Sequence, residues 1–105
     1  MLNRSYAGQD CPIASALEVV GERWTLLIVR DVLDGIHRFD QLQANLGIAR
    51  NVLADRLDRL VEEGVLERLP YSERPPRFEY RLTPKGRELD AALSALRRWG
   101  DQFVR

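Results

Sequence analysis

The spacing of apolar residues changes character twice along the chain, at Gly64 and at Thr83, and these two changes restrict the folds open to it. Before Gly64 apolar side chains recur every three or four positions, the period of an α-helix. Between Val65 and Thr83 they alternate, with Phe78, Tyr80 and Leu82 on one face and Glu79 and Arg81 on the other, which is the period of a strand. After Thr83 the helical period returns. A helical body interrupted by one hairpin is therefore expected.

Within the first stretch, breakers divide the helical pattern. Asp10-Cys11-Pro12 opens a first helix with Ile13, Ala16, Leu17 and Val20 at helical spacing, closed by Gly21. A second is predicted from about Arg23 to Asp34, with Trp24, Leu27, Ile28 and Val32 on one face and Gly35 as its stop. A short third helix, about Phe39 to Asn45, carries Leu42, with Leu46 just beyond it, and ends at Gly47. The fourth, about Arg50 to Glu63, places Leu53, Leu57, Leu60 and Val61 on one side before Gly64. Two short helices around a glycine-containing turn outline a helix-turn-helix. The segments VLERLPY and RFEYRLT then read as strands joined by a stiff SERPP loop, a candidate wing. Thr83-Pro84 caps a last helix running to about Val104, where Leu89, Leu93, Leu96, Trp99 and Phe103 form a seam suited to a partner helix.

Composition narrows the function classes. A chain of 105 residues suits one core, and no separate ligand-binding domain is expected. The N-terminal residues lack the apolar stretch of a secretory signal, and the longest apolar run, Trp24 to Val29, is far below the roughly 20 residues that span a bilayer. A soluble, cytoplasmic protein without a membrane partner is expected. Cys11, the sole cysteine, has no partner for an internal disulfide or a zinc site. His37 is the only histidine, and no phosphate loop, nucleophile motif or metal-ligand spacing occurs, so neither an enzyme nor a cofactor is expected. The 16 basic and 16 acidic residues cancel, but all basic residues except Lys85 are arginine, the side chain suited to forked contacts with phosphate and guanine.

A helix that reads DNA needs its back anchored in the core while its leading turn stays polar, because that end enters the major groove. The segment IARNVLADRLDRL meets this requirement. With Leu53, Leu57 and Leu60 inward, Arg50, Asn51, Ala54 and Asp55 project outward from the first turns. Arg50 and Asn51 are the candidate base readers, since arginine matches guanine and asparagine matches adenine in paired hydrogen bonds. Asp55 and Asp58 are expected to lie against Arg59, Arg56 or Arg30, because unpaired carboxylates would repel phosphate. Arg56 lies toward the inward side and is read as structural, whereas Arg59 is counted among the candidate DNA contacts. In the wing, Arg74 and Arg77 flank two prolines and are candidates for the backbone or a narrow minor groove. Arg38, at the start of the third helix, is a candidate phosphate contact. In isolation any of these arginines also fits a solvated surface. Cys11, near a helix N-terminus, is a candidate redox sensor, with an idle thiol as the alternative.

These pieces, taken in order, resemble the HxlR-type regulators, relatives of the MarR group. The resemblance runs from Cys11 to Trp99 and rests on Cys11-Pro12, GERW followed by LLIVRDVLDG, Arg38-Phe39, LADRLDRLVEEGVLER, Tyr71, Pro76, EYRLTPKG and Trp99. It implies a mainly α fold with a small antiparallel β-hairpin, a winged helix-turn-helix of α+β type with helical dimerisation elements at both termini. Residues 1–105 form a single domain on this reading, with the helix-turn-helix at about 39–63, the wing at about 65–82 and dimerisation helices at about 12–20 and 84–104. By position it puts recognition on Ala49 to Asp55, phosphate contact near Arg38 and the wing tip at Ser72 to Arg77. Some relatives sense electrophiles or oxidants through a cysteine placed like Cys11. The chain departs at Ala49-Arg50, where similar proteins often have serine then proline; loss of a cap hydroxyl weakens a helix start by roughly 1 kcal/mol.

The expected function is a sequence-specific DNA-binding transcriptional regulator, a repressor by preference, acting as a homodimer on an inverted-repeat operator. Its partners are then double-stranded DNA, a second copy of the chain and an unidentified small-molecule or redox effector. The rival is a winged-helix protein-interaction module without DNA binding, since fold alone does not fix function. A small-molecule binder or enzyme would need a pocket with converging polar groups, which the sequence does not announce.

Overall fold

Leucines at i, i+4 and i+7 of one helix set the position of the rest. Leu53, Leu57 and Leu60 have no solvent exposure, and they pack with Ile28 and Val29 of the second helix and Leu42 of the third. The computed structural model describes residues 8–105. Its elements are α1 (Pro12–Val20), α2 (Thr25–Leu33), α3 (Phe39–Leu46), α4 (Arg50–Glu62), β1 (Leu66–Glu73), β2 (Pro76–Leu82), α5 (Pro84–Arg87) and α6 (Leu89–Phe103).

Gly47 ends α3 with φ of 68° and Gly64 follows α4 with φ of 73°, left-handed conformations that glycine adopts without a Cβ clash. The first turns the chain so that Ile48 is buried and α4 starts beside α3; the second delivers Val65 and Leu66 into the core at the root of the hairpin. β1 and β2 pair antiparallel from Leu66↔Leu82 to Glu73↔Pro76, with a shift of register between Pro70 and Ser72. The segment before α3 adds a partial third strand: Arg38 bridges to Glu79, and the Tyr80 amide donates to the His37 carbonyl at 2.7 Å. That seam brings the start of α3 against the wing.

Four expectations are corrected. Helix α2 begins at Thr25, because Trp24 sits at φ of 81°, outside helical space. The inward face of α2 is Thr25, Ile28, Val29, Asp31 and Val32, while Leu27 is exposed. Strands continue through Ser72, Glu73 and Pro76, so the loop is only Arg74-Pro75; a proline at a strand end gives up no ladder bond. The last helix is two pieces, α5 capped by Thr83, whose hydroxyl accepts the Gly86 amide at 3.0 Å, and α6 starting at Leu89.

Asp31 is 1% exposed and fully partnered. The Arg30 guanidinium meets its Oδ1 at 2.9 Å and the Asn45 amide donates to its Oδ2 at 2.8 Å, so one carboxylate ties α2 to α3. The two ends of the chain are built differently. In α1 only Val20 is buried and Ile13 is 70% exposed. In α6, Leu89 and Leu93 pack partly against the core, while Leu96, Trp99 and Phe103 are 51%, 58% and 65% exposed. Among the described residues no helix is long and apolar enough to cross a membrane.

Candidate nucleic-acid interface

Helix α4 presents its N-terminus to solvent. Ala49 occupies the cap position in extended conformation, and its methyl group offers the first-turn amides no acceptor. Those N–H groups and the positive end of the helix dipole remain available to an anion. Arg50 and Asn51 are exposed on that first turn, Ala54 is half-buried, and Asp55 is exposed. The Asp55 carboxylate accepts from Arg56 at 2.7 Å, which neutralises it beside the leading turn.

Arg56 is structural, as its inward placement suggested. Its guanidinium meets Glu22 at 3.1 Å and donates from Nε to the Arg23 carbonyl at 3.2 Å, strapping α4 to the turn between α1 and α2. Asp58 pairs with Arg68 of β1 at 3.6 Å rather than with Arg30, Arg56 or Arg59. Those three arginines are engaged elsewhere, Arg30 with Asp31 and Arg59 with Glu63 at 3.2 Å and the Glu18 carbonyl at 3.3 Å. Nine residues beyond Arg50, Arg59 lies about 13 Å further along the helix, on the side of α1.

The start of α3, the start of α4 and the hairpin enclose a cleft of about 580 Å3, whose lining includes Arg38, Asp40, Arg50, Tyr71, Arg77 and Phe78. Three guanidiniums thus share one concavity with a single carboxylate. The Arg38 guanidinium lies over the Tyr71 ring, 4.0 Å from its centroid. Arg50 lies over Phe39 at 4.7 Å, with Nη1 4.0 Å from the Asp40 carboxylate. Arg77 and the wing-tip Arg74 are exposed and have no ion pair or ring contact among the described residues. A concave surface of this charge fits an anionic polymer whose charges are spaced along a backbone. Phe39 and Tyr71 carry part of the family resemblance, but their contacts with arginines were not read from the sequence, because ring contacts between residues 11 and 33 positions apart leave no local signal.

Cys11 caps α1 from an extended conformation and is half-buried; its side chain makes no capping bond. Among the described residues no group of three or more histidine, cysteine or acidic side chains could hold a metal ion. The apolar seam of α6 continues past the core as Leu96, Trp99 and Phe103, with the Trp99 and Phe103 rings 5.8 Å apart.

The model of the HxlR-like helix-turn-helix family matches residues 19–105. The chain belongs to that family. It is 50% identical over 103 residues to Rv3095 of Mycobacterium tuberculosis, an uncharacterized HTH-type transcriptional regulator, covering 98% of this chain and 64% of the relative. This HxlR-like chain therefore spans just under two thirds of the length of its mycobacterial relatives. Among solved structures it is similar to PA1607, a candidate transcription factor, at 46% identity and a TM-score of 0.85 over 93% of this chain and 68% of that one. It is also similar to the reduced form of the transcriptional regulator YodB from Bacillus subtilis, at 34% identity and a TM-score of 0.76 over 92% and 97% of the two chains. YodB has in addition been solved after treatment with diamide. The HxlR-like fold is thus a winged helix-turn-helix, mostly helical with a two-stranded antiparallel hairpin.

Proposed function

We propose that the chain acts as a cytoplasmic, sequence-specific DNA-binding transcriptional regulator, a repressor, that binds as a homodimer to an inverted-repeat operator. The observation that carries this is the exposure of Arg50 and Asn51 on the open first turn of a helix whose back is clamped by three fully buried leucines. Asn51 and Arg50 take the base edges, Arg38 the phosphates, and Arg74 and Arg77 of the wing the neighbouring backbone. Ala49 and Ala54 keep the leading face small enough for close approach. Asp55 serves there as the partner of Arg56. Arg59 is left to hold α1.

For the dimer, α1 and α6 supply the contact, through Leu96, Trp99 and Phe103 in particular, whose exposed rings and methyl groups need cover. Leu89 and Leu93 continue the same seam inward. Cys11 is the candidate redox sensor, supported by the solved reduced and diamide-treated forms of YodB. Iodoacetamide labelling of Cys11 no faster than that of free cysteine would remove it from that role.

Selection of bound sites from random DNA, followed by titration at several salt concentrations, tests the function. The expected product is an inverted repeat with half-sites about one helical turn apart, bound with an affinity that falls steeply with salt. Absence of binding at low salt would leave the fold as a protein-interaction module.

A further inference from the structure

The arginines in the cleft and at the hairpin tip beside it fall into two kinds. Arg77 in the cleft and Arg74 at the tip reach solvent without a partner among the described residues, whereas Arg38 and Arg50 are each held over an aromatic ring. We infer that Tyr71 and Phe39 are positioning residues that fix these two guanidiniums for DNA recognition, an inference that rests on the DNA-binding function proposed above.

The local structure supports a dedicated platform. Leu69 pairs with Glu79 and Pro70 with Phe78, but Tyr71 has no partner on β2 before pairing resumes at Ser72↔Arg77. An extra residue of this kind bends its strand and re-aims its side chain. Here the re-aimed ring lies under Arg38, which the bridge to Glu79 already fixes against the middle of the hairpin. Phe39, by contrast, is anchored by packing against the core, and its ring extends from the start of α3 beneath Arg50 at the start of α4. One platform thus comes from the wing and the other from the core, and both serve arginines lining the same cleft.

A guanidinium attracted to a ring uses its cationic centre, and its N–H donors still point outward in a fixed fork. An exposed arginine otherwise samples many rotamers and surrenders them on binding; one held over a ring has already lost much of that freedom. Arg38 is exposed, as is Tyr71, so their contact does little for folding and much for the direction of the fork. Arg74 and Arg77 attract any duplex, while Arg38 and Arg50 supply the contacts that depend on orientation.

Binding of the operator found by selection, measured by fluorescence anisotropy across salt concentrations, tests this. Tyr71→Leu is expected to weaken binding about three- to tenfold. The salt slope should stay unchanged, because no charge is removed. Tyr71→Phe should retain wild-type affinity, and Tyr71→Leu should cost nothing further once Arg38→Ala is present. Phe39→Leu, at a position that also packs on the core, is read by discrimination among single-base operator variants, with an expected loss at one position per half-site that Arg50→Ala abolishes. Normal wild-type binding with Tyr71→Leu unaffected overturns this inference alone. So does a loss in Tyr71→Phe as large as in Tyr71→Leu, or one undiminished without Arg38. Wild-type protein that binds no DNA overturns the DNA-binding function and this inference together.

Discussion

The middle of the molecule and its two ends handle apolar surface in opposite ways. From α2 to β2 most leucines, isoleucines and valines close on one another, with Ile28, Leu42, Leu53, Leu57 and Leu60 removed from water. In α1 and α6 apolar residues follow an equally regular helical spacing, yet Ile13, Leu96, Trp99 and Phe103 remain mostly exposed. Amphipathic spacing therefore identifies a face that must be covered but does not name what covers it. In the middle the cover is the chain itself; at the ends the cover we propose is a second copy.

Substitutions break this contrast in graded fashion. Leu57→Ala removes a fully buried side chain from α4 and is expected to cost about 2–5 kcal/mol in urea unfolding, because the surrounding helices collapse only partly into the void. Trp99→Asp should leave each subunit folded while shifting sedimentation from dimer to monomer, an effect of at least about 2 kcal/mol on association for a central aromatic anchor. A Trp99→Asp protein that stays dimeric would place the contact elsewhere. Asp31→Ala strips Arg30 and Asn45 of their shared acceptor and is expected to cost about 1–3 kcal/mol in thermal or urea unfolding. Smallest is Arg59→Ala. Its pair with Glu63 is partly exposed, so a loss of about 1 kcal/mol or less is expected in stability, with operator affinity hardly changed.

Much of the middle was legible in the sequence because local signals agree there. Gly47 and Gly64 stop helices where left-handed geometry is needed, and the leucines between them have one spacing and one destination. The switch to alternation after Gly64 located the hairpin, though not its tight Arg74-Pro75 tip. What escaped depends on partners distant in sequence. The buried position of Asp31 has no signal in the sequence because Asn45, which binds it, lies 14 residues away. Leu27 fits the apolar stripe of α2 by spacing alone, but the stripe that faces the core is Thr25, Ile28, Val29 and Val32, and Leu27 faces water. The break between α5 and α6 has no proline or glycine at Glu88 to announce it.

The same division applies to the cleft. Exposure of Arg50 and Asn51 follows from the leucine spacing behind them. The inward commitment of Arg56 follows likewise, whereas the contact of Arg59 with the Glu18 carbonyl of α1, 41 residues away, has no signal in the sequence. Tyr71 reaches Arg38 through a shift in strand register, a property of paired strands rather than of either strand alone.

Base discrimination by α4 is tested most directly by measuring Arg50→Ala and Asn51→Ala on the selected operator and on its single-base variants. Each variant is expected to lose about 1–3 kcal/mol on the operator and to stop distinguishing bases at one position per half-site, while Arg74→Ala weakens all sequences alike. Discrimination that survives in both variants would contradict DNA reading by the first turn of α4.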